Sequence, residues 1–213
     1  MLFLVRNIPN RKLHESYNQI NYQLLTDYKK DPINHFIDSL KYSGGEPFVL
    51  LEDDLVLCNN FEKEVCAVIE KYNNDIINFF SDAGIYIKVG YRQSIRWNQC
   101  TYYPKGVGLK LAEKMEQYPQ DFDKSHGVYS ILETRAVKEL NLKVLDYRPC
   151  LVQHLDMDTS LFNKTTHSRR SPFFIDYLNS LNVTYDRLTN KEYYALIKLM
   201  KEHFKELEKW YYE

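Results

Sequence analysis

Residues 52–54 are Glu-Asp-Asp, and they follow at once on the apolar run Phe48, Val49, Leu50 and Leu51. Three adjacent carboxylates repel one another, so a fold that holds them together must gain something by it. Hard oxygen ligands suit Mg²⁺ or Mn²⁺, and a divalent cation bridging the acids to a phosphate is the simplest such gain. The plainer alternative is a polar strand end fraying into solvent. Upstream, Arg6, Asn7 and Arg11 fall in a polar turn after the apolar segment 2–5, and Asp27 closes the segment 22–26. Guanidinium forks match phosphate oxygens, and a carboxylate at a strand end can hold a ribose or a base. The structural alternative for these four is a solvated turn with a helix cap. Further along, Arg169 and Arg170, with Lys164 and His167, make the segment 159–171 basic and without period. Such a loop either folds over a diphosphate or simply stays exposed.

For these residues to meet, the chain must bring several strand ends to one edge of one sheet. Segment 2–5 reads as a strand, 12–20 as a helix and 22–26 as a second strand. Asp31-Pro32 supplies a cap and a first-turn proline, and Ile33, Phe36, Ile37 and Leu40 then recur at helical period as far as residue 42. Gly44-Gly45 stops that helix, and Pro47 opens the buried strand that ends in the acids. This β-α-β-α-β order predicts parallel strands with right-handed crossovers, a Rossmann-like half whose ligands lie beyond the carboxyl ends of its strands. The dinucleotide fingerprint GxGxxG is absent. After the acids, Asn59-Asn60 is expected to cap a helix over 61–72 that buries Val65, Val68 and Ile69. Strands follow over 75–80, 85–89 and 95–103. A helix runs from Gly106-Val107-Gly108 to 117 and another over 128–140. A strand covers 143–146, and a short strand or turn 151–154. The tail, 189–212, reads as one charged amphipathic helix.

Composition narrows the classes. The chain has 213 residues and a net charge of −1, enough for a real core and without the global basic field of a nucleic-acid binder. It carries 18 tyrosines, which could include stacking platforms for a sugar or a base. Met1–Val5 is apolar, but Arg6 follows directly, with no basic leader and no cleavage site, and no apolar run spans a membrane. Cys58, Cys66, Cys100 and Cys150 are dispersed without CxxC spacing, so reduced thiols and a cytoplasmic setting are expected.

The layout resembles a GT-A glycosyltransferase and, within that class, is similar to the family-25 type of lipopolysaccharide and collagen galactosyltransferases. The residues that carry the resemblance are Asn7-Ile8-Pro9-Asn10-Arg11, Leu51-Glu52-Asp53-Asp54 and Phe61. Further on they are the 101–115 segment with Gly106 and Gly108, the acids Asp121 and Asp123, and Pro149-Cys150-Leu151-Val152-Gln153-His154. The match covers about two thirds of the chain, as motifs in the right order. It implies a mixed, mainly parallel sheet flanked by helices, with a C-terminal helical appendage. The expected organisation is a catalytic domain over 1–160, its nucleotide-binding half at 1–60 and its acceptor half at 61–160. Residues 161–213, a basic loop and helices, pack on that domain.

The resemblance also implies a nucleotide-sugar donor, UDP-sugar first, and a Mn²⁺ or Mg²⁺ ion that neutralises the diphosphate leaving group. Asp54 is then a direct metal ligand and His154 a distal one, with Asp156 and Asp158 as substitutes. Glu52 and Asp53 are left for ribose, sugar or outer contacts. Strand alternation puts Glu52 and Asp54 on one side and Asp53 on the other, unless the strand has already turned. The proton acceptor for an inverting transfer falls on Asp123, then His126 and Asp121, in the turn before the 128–140 helix; the structural alternative is a helix cap. The acceptor is a glycan or a hydroxymethylated base in phage DNA. Arg92, Arg96, Lys105 and Lys110, interleaved with Tyr91, Trp97, Tyr102 and Tyr103, would suit either. The competing class is a non-catalytic nucleotide-sugar or nucleic-acid binding module on the same scaffold, which nucleotide titration with and without Mn²⁺ separates. A phosphoacceptor receiver is excluded, because the position after the first strand is Arg6-Asn7 and not an acidic pair.

Overall fold

The computed structural model describes residues 1–80, 90–95, 98–118, 128–155, 171, 174–180 and 195. They form a seven-stranded sheet flanked by helices and a separate two-stranded sheet. The strands of the large sheet are β1 (Leu2–Asn7), β2 (Tyr22–Thr26), β3 (Phe48–Glu52), β5 (Ile76–Asn78), β6 (Gly90–Arg92), β7 (Cys100–Tyr103) and β8 (Val144–Asp146). Their order is β2-β1-β3-β7-β5-β8-β6. β1 runs parallel to both β2 and β3, and β5 runs parallel to β8. β7 lies antiparallel between β3 and β5, and β6 is antiparallel to β8. β1, β2, β3, β5 and β8 therefore share one direction, and their carboxyl ends meet at one edge. This is the mixed, mainly parallel, Rossmann-like α/β architecture.

Alternation along the central strands decides which helix covers which face. Phe3, Val5, Val49 and Leu51 turn to one side and pack with α2 (Phe61–Tyr72) through Phe61, Val65, Val68 and Ile69. Leu4, Phe48 and Leu50 turn to the other. There they meet α1 (Pro32–Tyr42), α3 (Val107–Glu116) and α4 (Val128–Glu139). Both faces of β1 and β3 are buried, which is why those strands read as continuous apolar runs. Each fully buried Phe or Leu on them contributes about 1.5–3 kcal/mol.

Several expectations are met in place. β2 and α1 have the expected bounds, and Asp31 accepts from the Asn34 amide as the α1 cap. Others are corrected. Segment 12–20 holds a short 3-10 turn, Glu15–Gln19, and not an α-helix. Its side chains serve neighbouring backbone: Ser16 Oγ accepts from Leu57 N at 2.9 Å, and Gln19 Oε1 accepts from Phe61 N at 3.1 Å. Gln19 thus satisfies the start of α2, whereas Asn60, at φ 58°, makes no side-chain cap. The 95–103 strand shrinks to β7, and 75–80 to β5. β6 begins one residue past the expected 85–89 strand, of which all five positions lie outside the described residues. The division at residue 160 lies outside them as well, and of the 189–212 helix the structure describes Ala195, which is helical and exposed; past β9 (Val152–His154) the other described residues are Leu155, Ser171, Phe174 and α5 (Ile175–Ser180). Among the described residues no helix is long and apolar enough to cross a membrane, and Cys58, Cys66, Cys100 and Cys150 are free thiols.

Candidate functional site at the carboxyl edge of the sheet

Beyond the carboxyl ends of β2, β1 and β3 stand Asp27, Arg6-Asn7 and Glu52-Asp53-Asp54. The register makes them neighbours, since Arg6 is opposite Glu52 on one side and Leu25 on the other. Alternation then sorts them. Arg6 and Glu52 fall on the α1–α4 face. Arg6 NH1 donates to Glu52 Oε1 at 2.7 Å, and NH2 donates to the Pro32 carbonyl at 3.2 Å. The guanidinium lies over two rings, 5.0 Å from the centre of Phe36 and 4.7 Å from that of Tyr129. Arg6 is thus a buried partner of Glu52, held by packing. Burial pushes the Glu52 carboxyl up to about 7; Arg6 opposes the shift, and Asp54 and Asp53 add to it.

Asn7 and Asp53 fall on the opposite face. Asp53 Oδ2 accepts from Asn7 Nδ2 at 3.1 Å and from Ile8 N at 2.9 Å, and Arg11 NH1 pairs with Oδ1. Only 3% of the Asp53 side chain is exposed. This carboxylate is consumed in shaping the loop after β1, and its contacts explain the Asn7–Arg11 spacing. Asp27 caps its own turn, accepting from Lys29 N at 3.1 Å, and its amide donates to Asn7 O at 2.9 Å.

Strict alternation would return Asp54 to the side of Glu52, but the strand has already turned, the exception that alternation allows. β3 ends at Glu52, the chain bends at Asp53-Asp54, and Leu55 opens β4 (Leu55–Leu57) in the small sheet. The bend leaves Asp54 next to Arg11, with Oδ2 3.3 Å from its NH1. β4 pairs antiparallel with β9, with Leu55 opposite His154, and the Leu155 amide donates to the Asp54 carbonyl at 2.7 Å. This short ladder brings His154 Nε2 to 3.4 Å from Asp54 Oδ2. Burial acts to raise the Asp54 pKa, but the hydrogen bond and charge of His154, with the charge of Arg11, outweigh it and hold the carboxyl below its ordinary value.

The donor set fits a hard divalent cation. Adjacent ligands of an octahedral ion with bonds of about 2.1 Å stand about 3 Å apart, close to the 3.4 Å between Asp54 Oδ2 and His154 Nε2. A carboxylate and an imidazole suit Mn²⁺. Among the described residues no group of three or more His, Cys, Asp or Glu is arranged to hold a metal. Phosphate oxygens and water would complete the ion's shell beside these two side chains, the usual habit of Mg²⁺ at such sites.

Sequence reasoning missed four side chains around this edge. Tyr17 donates to the Glu52 carbonyl, and Tyr129 donates to Glu52 Oε1 at 3.4 Å. Half-buried His35 has its pKa lowered by burial and then by the Arg6 charge, against Asp27. Glu133 on α4 is fully buried and accepts from Tyr103 OH and Asn98 Nδ2, both at 2.6 Å. Asp121, Asp123 and His126, and Asp156, Asp158, Arg169 and Arg170, lie outside the described residues.

No family model matches the chain, and no curated protein matches it. Among solved structures it is similar to A197 from STIV, at 12% identity over 74% of this chain and 86% of that chain, with a TM-score of 0.44. A likeness of that size adds nothing to a functional reading. The chain's own strand order and site define the class, a Rossmann-like α/β protein with an acidic site at the carboxyl edge of its sheet.

Proposed function

We propose that this protein is a metal-dependent glycosyltransferase that moves a sugar from a nucleotide-sugar donor, a UDP-sugar, to a hydroxyl acceptor with inversion. One observation carries the reading: Asp54 and His154 converge to 3.4 Å at the carboxyl end of the central parallel strand. In this reading they hold Mn²⁺ or Mg²⁺, which when bound offsets the charge developing on the departing diphosphate. Arg11 stands beside them for the phosphate oxygens, and Asp53 and Asn7 keep the Arg11 loop in register. Glu52 and Arg6 fix the strand end from the opposite face. Asp27 faces the ribose or base from the end of β2. The acceptor hydroxyl gives its proton to a side chain of the 121–126 segment, Asp123 first, with Asp121 and His126 behind it. Arg169 and Arg170 supply further phosphate contacts. The acceptor is a glycan or a hydroxymethylated base in DNA.

The test is a thermal-shift screen of UDP-, GDP- and CMP-sugars with and without Mn²⁺, on the wild type and on Asp54→Ala. The expected result is a UDP-sugar shift that needs Mn²⁺ and vanishes in a folded Asp54→Ala variant. An unchanged Mn²⁺-dependent UDP affinity in that variant would overturn the metal site. Product formation with glycan and with hydroxymethylated DNA then separates the two acceptors, and binding without turnover on any acceptor would favour a binding module.

A further inference from the structure

Arg11 sits where the proposed cation would be felt most. Its NH1 nitrogen lies between two carboxylates, paired with Asp53 Oδ1 and 3.3 Å from Asp54 Oδ2. The same Asp54 oxygen stands 3.4 Å from His154 Nε2. Little of this is open to solvent, with side-chain exposures of 7% for Arg11 and 17% for Asp54. An ion bound about 2.1 Å from Asp54 Oδ2 would stand within about 5.4 Å of the guanidinium nitrogen, by the 3.3 Å separation. Two cations at that range in a poorly hydrated pocket repel strongly.

We propose that Arg11 is a resident counter-cation of this site: it competes with the divalent ion for Asp54, and an incoming ion displaces it from that carboxylate. The inference rests on the metal reading above. Arg11 need not leave the pocket, because Asp53 keeps it on its other side. Asp53 in turn does not depend on Arg11, since Asn7 Nδ2 and the Ile8 amide both donate to it. Displacement releases NH1 from Asp54 when the ion arrives, and that N–H becomes available to a diphosphate. Metal and nucleotide then bind with positive coupling, because the ion releases Arg11 from Asp54 for the diphosphate and the diphosphate draws Arg11 away from Asp54.

The experiment titrates Mn²⁺ alone, followed by electron paramagnetic resonance and calorimetry, into the wild type, Arg11→Gln and Asp54→Asn. Competition predicts that Arg11→Gln binds Mn²⁺ about tenfold or more tightly than the wild type. It also predicts that UDP raises Mn²⁺ affinity less in Arg11→Gln than in the wild type. Equal or weaker Mn²⁺ binding by Arg11→Gln, with binding lost in Asp54→Asn, overturns the Arg11 proposal and leaves the metal site standing. Wild-type affinity in Asp54→Asn, or no binding by any of the three, removes the metal reading and the proposal together. If Arg11→Gln does not fold, guanidinium ¹⁵N spectra of the wild type decide. Mg²⁺ should then speed rotation of the Arg11 group at the concentration at which it binds, and an unchanged rotation rate at saturation overturns the proposal.

Discussion

Glu133 is charged by type and core by position. Positions 129, 132, 133, 136 and 137 form one stripe of α4, and its other members are Tyr129, Leu132, Ala136 and Val137. The stripe was legible in the spacing. What hid Glu133 is the habit of assigning every helical glutamate to solvent, while Ile131, off the stripe, is 63% exposed. Burial pushes the Glu133 carboxyl up to about 8, against the bonds from Tyr103 and Asn98 and the charge of Arg6. Between the ordinary value of 4.5 and about 8 the folded chain keeps a proton that the unfolded chain has released. Stability therefore falls as pH rises through that window, and the loss is complete above it, on the order of a few kcal/mol. Glu52, pushed up to about 7, acts in the same sense over a narrower range. Glu133→Gln cannot ionise and can still meet both partners, its Oε1 accepting from Asn98 Nδ2 and its Nε2 donating to the Tyr103 hydroxyl, whose proton turns to Asn98 Oδ1. Urea midpoints from pH 5 to 9 should fall steeply for the wild type and less steeply for Glu133→Gln, which becomes the more stable protein at pH 9. Parallel slopes would show that Glu133 is already ionised at low pH.

The long elements were legible because each carries its own boundary marks. Asp31-Pro32 starts α1, Gly44-Gly45 ends it, and Pro47 opens β3. β4 and β6 were not, since three residues with no turn signal display no period. Nor was the 3-10 turn, whose purpose is tertiary: its Ser16 and Gln19 side chains serve β4 and α2. The site divides in the same way. Arg6, Asn7, Arg11 and the acids could be named from strand ends, whereas their division into Arg6–Glu52 and Asn7–Asp53 faces needed the register. Gly108 shows what a helix contact can require of one residue. A Cβ there would stand 2.8 Å from the Leu40 carbonyl oxygen of α1 and 2.8 Å from the Phe48 ring. The backbone oxygen cannot swing away, so Gly108→Ala must push α3 off α1 and β3. A loss of about 1–3 kcal/mol is expected from such overpacking, read as a lower denaturant midpoint with an unchanged m-value. An unchanged midpoint would mean that the α1–α3 contact is loose.

Across the whole molecule, the large sheet and the small one differ in how they are held. β1 and β3 are buried on both faces between α2 and the α1–α3–α4 layer. β4 and β9 share three residue pairs, Leu55 with His154, Val56 with Gln153 and Leu57 with Val152. So short a ladder opens at lower free energy than the central strands. Amide exchange should therefore be faster at Val56 and Gln153 than at Leu4 and Leu50, and a saturating divalent ion that holds Asp54 to His154 should slow the small sheet selectively. Exchange at one common rate in both sheets would contradict this. The same ladder ties two moments of synthesis together. His154 follows Asp54 by 100 positions (154 minus 54), which at about 5–20 residues per second is on the order of 5–20 s of translation. Arg11 precedes the acids and has already been made when they leave the ribosome, so a growing chain can neutralise its acidic bend with the Arg11 guanidinium long before the His154 imidazole exists.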